Sequence, residues 1–228
     1  MLIGVTGKAR AGKDTVAKIF QKRLMEVNGE DLPIYSFAAP LKDCVNDWLG
    51  WGEDHSDGAL KEQRLPLKPN FNVLPLFIYE HFGSHISKEE AVAVSVVLQN
   101  LMYGDNQANI YEHKQDSDYF ILVSPRQVYQ WFGTEGMRQT VAQDFWTQIA
   151  PTSAIIADAR FDNEADYIIE NGGTVFKVVR DSCEQVQEHI SEVGVCETKI
   201  ERSILNNGSL LELEVATEIA LDKTLAPF

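Results

Sequence analysis

The chain has 228 residues, 44% of them apolar and 24% charged, with a formal net charge of −14. This fits one α/β domain with some length to spare for an insertion, and it excludes a largely disordered protein. The acidic balance repels a polyphosphate backbone and no basic stripe offsets it, which argues against nucleic-acid binding; a few Arg and Lys in a cleft can still hold a small anion.

The three cysteines, Cys44, Cys183 and Cys196, form no CxxC pair, so a reducing cytoplasmic setting is expected rather than a disulfide framework. No apolar run approaches the length of a membrane span, and the opening MLIGVTG has neither a basic leader nor a cleavage signal.

In chain order, residues 2–6 form an apolar run that predicts a strand, and Val16, Ala17, Ile19, Phe20 and Leu24 recur at helical spacing after Gly12. A second strand is predicted at 34–37, then a helix over 40–49 with Pro40 in its first turn. Residues 50–120 hold four of the five histidines and two turn-rich stretches, near 51–58 and 65–75, and read as an insertion, largely helical. Within it Ser87 and Glu90 form a capping-box pair for a helix over 87–103, and the polar stretch 104–117 reads as a loop.

A helix is predicted from Ser124 to Phe132. A buried strand follows at 154–157, then a crossover helix over 164–170 stopped by Asn171-Gly172-Gly173, and a parallel strand at 174–179. A helix over 209–225 closes the chain. Alternating strands and helices predict a doubly wound, mostly parallel sheet between helical layers.

The segment GKARAGKDT at 7–15 has the GxxxxGK spacing between a strand and a helix, the context a phosphate loop requires. Its glycines let backbone N–H groups turn onto a phosphate, and the helix N-terminus adds partial positive charge. Lys13 is placed to reach the β and γ phosphates. The position after it, normally a hydroxyl ligand of Mg²⁺, is Asp14, with Thr15 next. Asp14 as metal ligand, or as helix cap with Thr15 on the phosphate, are the two readings.

Two further clusters carry chemistry. In SPRQVYQWFGTEGMR at 124–138, Arg126, Gln130 and Thr134 are spaced to share a helix face that would offer a guanidinium and an amide to a monophosphate and a base. A solvated helix face is the alternative. In DARFDNE at 158–164, Asp158 ends a buried strand as a Walker-B aspartate does, and Arg160 is a candidate to stabilise the transferring phosphoryl group. A charged turn is the alternative there. His189 is read as a helix-end feature, and the other histidines have no zinc-ligand spacing.

Together these motifs, with FAAPLK at 37–42, Phe145-Trp146, HISE at 189–192 and ILNNGSLLEL at 204–213, resemble the bacteriophage-type deoxynucleoside monophosphate kinases of the P-loop superfamily. The resemblance implies transfer of the ATP γ-phosphoryl group to a deoxynucleoside monophosphate with Mg²⁺, in the host cytoplasm. It places Lys13, Arg126, Asp158 and Arg160 in catalysis, and Gly7, Arg10, Ala11, Gly12, Lys13, Asp14, Thr15 and Arg180 on ATP. Lys42, Arg126, Gln130, Gly133, Thr134, Arg138, Trp146, Asp158, Arg160 and Glu164 go to the acceptor, and Asp14, Thr15 and Asp158 to Mg²⁺. A short lid is implied near 180–192.

A P-loop kinase for another small acceptor, such as dephospho-coenzyme A, and a non-catalytic nucleotide-binding regulator are the competing readings. No NKxD-like element supports GTPase-type base recognition. No residue pattern decides between a monomer and a homodimer.

Overall fold

The computed structural model describes residues 1–104, 110–113, 118–183 and 194–225, with backbone alone at 110–113, 118 and 119. The first strand, β1 (Leu2–Thr6), is buried along its whole length. Helix α1 (Lys13–Asn28) buries Val16, Ala17, Ile19, Phe20 and Leu24 and stops at Gly29, whose φ of 69° turns its N–H back onto Leu24 O and Met25 O. Next come β2 (Ile34–Tyr35), α2 (Ala39–Leu49) with Pro40 in its first turn, α3 (Glu53–Ser56), β3 (Leu65–Leu67) and α4 (Leu74–Phe82).

Helix α5 (Lys88–Tyr103) has the predicted capping box: Ser87 Oγ accepts from Glu90 N and the Glu90 carboxylate accepts from Ser87 N. Strands β4 (Ile110–His113) and β5 (Asp118–Val123) follow, then α6 (Pro125–Trp131), capped by Ser124. A π-helical stretch, Phe132–Arg138, continues α6. Helix α7 (Phe145–Gln148), β6 (Ala154–Ile156), α8 (Asp162–Glu170), β7 (Thr174–Val179), β8 (Arg202–Leu205) and α9 (Leu210–Leu225) complete the order.

The chain divides into two compact units, one of Met1–Phe37 with Trp146–Phe228, the other of Ala38–Phe145. In the first, a five-stranded sheet runs in the order β2-β6-β1-β7-β8, with every neighbour parallel. Strand alternation sends Ile3 and Val5 into a core with Phe20 of α1, Phe176 of β7 and Leu213 of α9. Gly4 points the other way, where an added Cβ would lie 2.6 Å from Ile168 Cδ1 of α8. The sheet is thus covered on both faces, the α/β layering of a P-loop kinase. Phe20 and Phe176, with ring centroids 4.8 Å apart and no exposure, each contribute about 1.5–3 kcal/mol of burial to this platform.

The second unit contains the segment read as an insertion and extends beyond it at both ends. It combines α2 to α6 with an antiparallel sheet in the order β3-β5-β4. Three expectations change here. The stretch 104–117 is not all loop, because β4 pairs with β5 through the register Ile110↔Ile121 to His113↔Asp118. The turn-rich stretch 65–75 contains β3 and the start of α4. Beyond Trp131 the helix widens to π geometry, so Thr134 leaves the four-residue register that would set it on one face with Arg126 and Gln130. In the first unit, β8 was not foreseen as a strand.

Candidate active site

In the first unit, the carboxyl ends of the parallel strands gather the polar residues. The loop after β1 needs backbone that L side chains rarely adopt: φ is 139° at Gly7, 63° at Arg10 and 100° at Gly12. At Gly7 a side chain would also run into the Val178 carbonyl of β7. Lys13 Nζ donates to Gly7 O and Lys8 O, both at 2.9 Å, so the ammonium lies across the loop it would serve. Asp14 is exposed in the first turn of α1 and Thr15 is half-buried beside it.

Asn206, just past β8, braces this loop. Its backbone N–H donates to Val179 O at 2.8 Å and its side-chain Nδ2 donates to Ala11 O at 2.7 Å. The next residue, Asn207, accepts from Asp181 N at 2.9 Å and donates to the Asp181 carboxylate at 2.8 Å. Arg180 is exposed at the end of β7, directly before that anchored residue.

Asp158 follows β6 and is 9% exposed. Ser36 Oγ donates to its Oδ2 at 2.6 Å and Phe37 N to its Oδ1 at 2.7 Å, so the end of β2 fixes the carboxylate plane. Burial, then the Asp158 charge, push the neighbouring Tyr35 phenol up to about 12. Glu164, 3% exposed, accepts from Arg160 N at 2.7 Å and Phe161 N at 3.1 Å. It thereby caps α8 and holds the turn that carries Arg160.

In the second unit, Arg126 Nε donates to Glu62 Oε1 at 2.8 Å and its backbone N–H to Lys61 O at 3.0 Å. Lys42 Nζ meets both oxygens of Asp57, at 2.7 and 2.8 Å, and Lys61 Nζ approaches the same carboxylate at 3.4 Å. Burial first, then the charges of Lys42 and Arg126, lower the Lys61 pKa against the opposing pull of Asp57. An aromatic group stands beside these charges, with Trp51 stacked on His55 at 5.2 Å and edge-on to Tyr129 at 5.8 Å. The Tyr129 hydroxyl donates to Asn46 Oδ1 at 2.5 Å, and its pKa is raised by burial and by the Asp57 charge.

Gln130 Nε2 is buried with no hydrogen-bond partner among the described residues, a condition that costs about 1–3 kcal/mol. Gly133, Thr134 and Arg138 lie in the buried π-helical stretch, where Arg138 Nη1 donates to Gln143 O at 2.9 Å.

Residues 61–216 match the family described as deoxynucleotide monophosphate kinase. The chain belongs to that family. It is therefore a nucleoside monophosphate kinase, a phosphotransferase that phosphorylates deoxynucleoside monophosphates. Among relatives, it is 28% identical over 186 residues to the deoxynucleoside-5'-monophosphate kinase of Escherichia phage T5, covering 75% of this chain and 72% of that one. It is 26% identical over 212 residues to a protein of Acanthamoeba polyphaga mimivirus, provisionally named a deoxynucleotide monophosphate kinase, with 93% and 91% covered. The deoxynucleotide monophosphate kinase of Escherichia phage RB69 is 21% identical over 253 residues, with 93% and 96% covered.

For this deoxynucleotide monophosphate kinase, the structure brings Gly7, Lys13, Asp158 and Arg180 to one sheet end, with Arg160 on the turn after Asp158. Arg126 and Lys42 fall in the second unit, each in an ion pair. Trp146, 2% exposed, is a buried side chain of α7. The implied lid falls largely on residues 184–193, and His189 with it, outside the described residues. Asn206, which bonds to the Ala11 carbonyl, carried no expectation of its own although it sits in the quoted ILNNGS motif, and no motif marks Lys61 or Asp57, which the fold sets beside Lys42.

Proposed function

We propose that the chain transfers the γ-phosphoryl group of ATP to the 5'-phosphate of a deoxynucleoside monophosphate, with the first unit holding the donor and the Ala38–Phe145 unit the acceptor. The observation that carries this reading is the left-handed backbone at Gly7, Arg10 and Gly12 immediately before α1, with Lys13 lying across it. A glycine-rich loop of this kind, opening directly onto a helix N-terminus, suits a ligand rich in anionic oxygens.

In this assignment the loop N–H groups and the α1 N-terminus cradle the triphosphate, and Lys13 exchanges its loop carbonyls for β and γ oxygens. Arg180 is assigned to the donor nucleotide. Arg160, held by Glu164 through the backbone of its turn, supplies positive charge as the phosphoryl group moves. The acceptor phosphate is given to Arg126, and the orphaned Gln130 amide to the base or sugar. Lys42, Gly133, Thr134, Arg138 and Trp146 are left as further acceptor-side residues.

The oxygen donors at the start of α1 and the end of β6 suit Mg²⁺, which prefers a few carboxylate or hydroxyl ligands plus phosphate oxygens. Thr15, Asp14 and Asp158 would hold it, with the Asp158 carboxylate oriented by Ser36 and Phe37. Among the described residues no cluster of three His, Cys, Asp or Glu forms a cage, as suits an ion that arrives with its nucleotide. When bound, it neutralises charge on the phosphate oxygens.

No helix among the described residues is long and apolar enough to cross a membrane. A host-cytoplasm setting accords with the phage and viral sources of the relatives.

The test is ADP release from ATP in the presence of each deoxy- and ribonucleoside monophosphate, for the native chain and Lys13→Ala. Release stimulated by deoxynucleotides and abolished in a folded Lys13→Ala variant is the expected result. Stimulation by ribonucleotides alone removes the deoxy assignment, and stimulation by none removes the kinase reading.

A further inference from the structure

Helix α8 carries two acids in its first turn, and they do different work. The Glu164 carboxylate accepts from Arg160 N and Phe161 N, bonds internal to the turn that fix its shape. Asp162 reaches out of the turn: its Oδ1 accepts the backbone N–H of Cys196, 34 residues further along the chain, at 2.7 Å. An exposed acid at the start of a helix is already favoured by the helix dipole and needs no such partner. Lys199 adds two more bonds from the same segment, to the Asp162 carbonyl at 3.2 Å and to the Asp166 carboxylate at 2.6 Å. The short turn Glu197–Lys199, with Cys196 before it, thus grips the first turn of α8 from outside.

That grip bears on Arg160. The Ala159 N–H bond to Val5 O, at 3.1 Å, ties the end of β6 to the sheet, and Arg160 follows directly. The buried apolar anchors of α8, Ala165 and Ile168, come only later. Between those two attachments, Asp162 and Lys199 hold the outer side of the turn. The gripping segment then runs on into β8, with Glu201 N donating to Val175 O at 2.9 Å and β8 pairing with β7. Past β8, Asn206 bonds to Val179 O and to Ala11 O of the phosphate loop. One bonded stretch of chain, 196–206, therefore links the Arg160 turn to the phosphate loop. The link matters because a misplacement of about 1 Å in a group that must meet a reacting centre can cost about 10²-fold in rate.

We propose that Asp162 is a positioning residue for phosphoryl transfer: by holding the Cys196 N–H it sets the place of Arg160 relative to the phosphate loop, while Glu164 sets the shape of the turn. The proposal rests on the kinase reading and on the role given there to Arg160, and it adds Asp162 with Lys199 in support. Asp162 acts through Arg160 and not on either nucleotide.

The test measures kcat and KM, for ATP and the best deoxynucleotide, in the native chain, Asp162→Ala, Asp162→Asn, Arg160→Ala and the double variant Arg160→Ala with Asp162→Ala. Hydrogen exchange of the Cys196 amide is followed in the same proteins. Asp162→Ala should lower kcat about 10-fold, with both KM values within about 2-fold of native, as for a group that acts on the transition state alone. Asp162→Asn keeps an acceptor oxygen for the Cys196 N–H and should recover most of the rate. On the Arg160→Ala background Asp162→Ala should cost less than about 2-fold more, because the group it positions is gone. The Cys196 amide should exchange faster in Asp162→Ala than in the native chain or Asp162→Asn.

A kcat for Asp162→Ala within about 2-fold of native overturns the proposal. So does a loss in Asp162→Asn equal to that in Asp162→Ala, or a Cys196 amide whose exchange does not change. An undiminished loss on the Arg160→Ala background makes Asp162 a structural residue, and the proposal then falls alone. An unchanged kcat in Arg160→Ala removes the assignment of Arg160 and the proposal with it. Should the native chain phosphorylate no deoxynucleotide, the kinase reading itself falls, and the proposal falls with it.

Discussion

Replacing Gly12 by Ala tests how the phosphate loop is held. Gly12 sits at φ 100°, where a side chain costs about 1–3 kcal/mol in backbone strain. The new Cβ would also lie 2.5 Å from Asn206 Nδ2, the far end of a side chain that can swing away only by giving up its bond to Ala11 O. Ala11 is 1% exposed, and leaving its carbonyl unpaired costs about another 1–3 kcal/mol.

Gly12→Ala should therefore cost about 2–6 kcal/mol, the sum of those two terms, and Asn206→Ala about 1–3 kcal/mol from the hydrogen bond alone. The double variant loses that bond once, so it should cost no more than Gly12→Ala. The coupling read from urea denaturation of the four proteins is then about 1–3 kcal/mol, the worth of the shared bond, and the affinity for ATP should follow the same pattern. Additivity within about 0.5 kcal/mol would show that Gly12 and Asn206 act independently, and would refute the bracing role.

Other outcomes follow from the same geometry. Asp158→Asn sets an amide NH₂ against the donors of Ser36 and Phe37, so stability should fall by about 1–3 kcal/mol along with turnover; chemical denaturation that leaves stability unchanged would contradict this contact. Arg160→Ala should lower kcat by about 10²-fold or more in the ADP-release assay, and an unchanged kcat removes Arg160 from the reaction.

Lys61 titrates below its ordinary value of 10.5 because of burial, Lys42 and Arg126, so between the two values the unfolded chain binds more protons and stability rises with pH. Its charge thus costs stability at neutral pH. Lys61→Met should melt higher than the native chain at pH 7, with the gap narrowing toward pH 10.5 in scanning calorimetry, and a lower melting temperature would contradict the sign.

Much of the first unit was legible because its signals are local. The glycines of the phosphate loop declare a backbone that only they adopt readily, and the apolar spacing from Val16 to Leu24 matches the buried face of α1. Asp158 was legible because it directly follows a short apolar run. The second unit was harder to read, since its order comes from distant pairings.

Strand β4 lies in a polar stretch and becomes a strand only through β5, and the π-helical turn at Phe132–Arg138 changes the side-chain register without any local signal beyond Gly133 and Gly136. Lys61 reads as one more surface lysine until the fold bonds its carbonyl to Arg126 and sets its ammonium beside Asp57. Asn206 gains its role from the pairing of β8 with β7, which carries it to the Ala11 carbonyl.

The central claim is that the chain moves the γ-phosphoryl group of ATP onto a deoxynucleoside monophosphate, and the direct measurement is to follow that group. With ATP labelled in its γ-phosphate, the native chain should place the label in a deoxynucleoside diphosphate, and Lys13→Ala should not. Label that appears only as inorganic phosphate, or in no diphosphate with any of the four deoxynucleotides, would contradict the account.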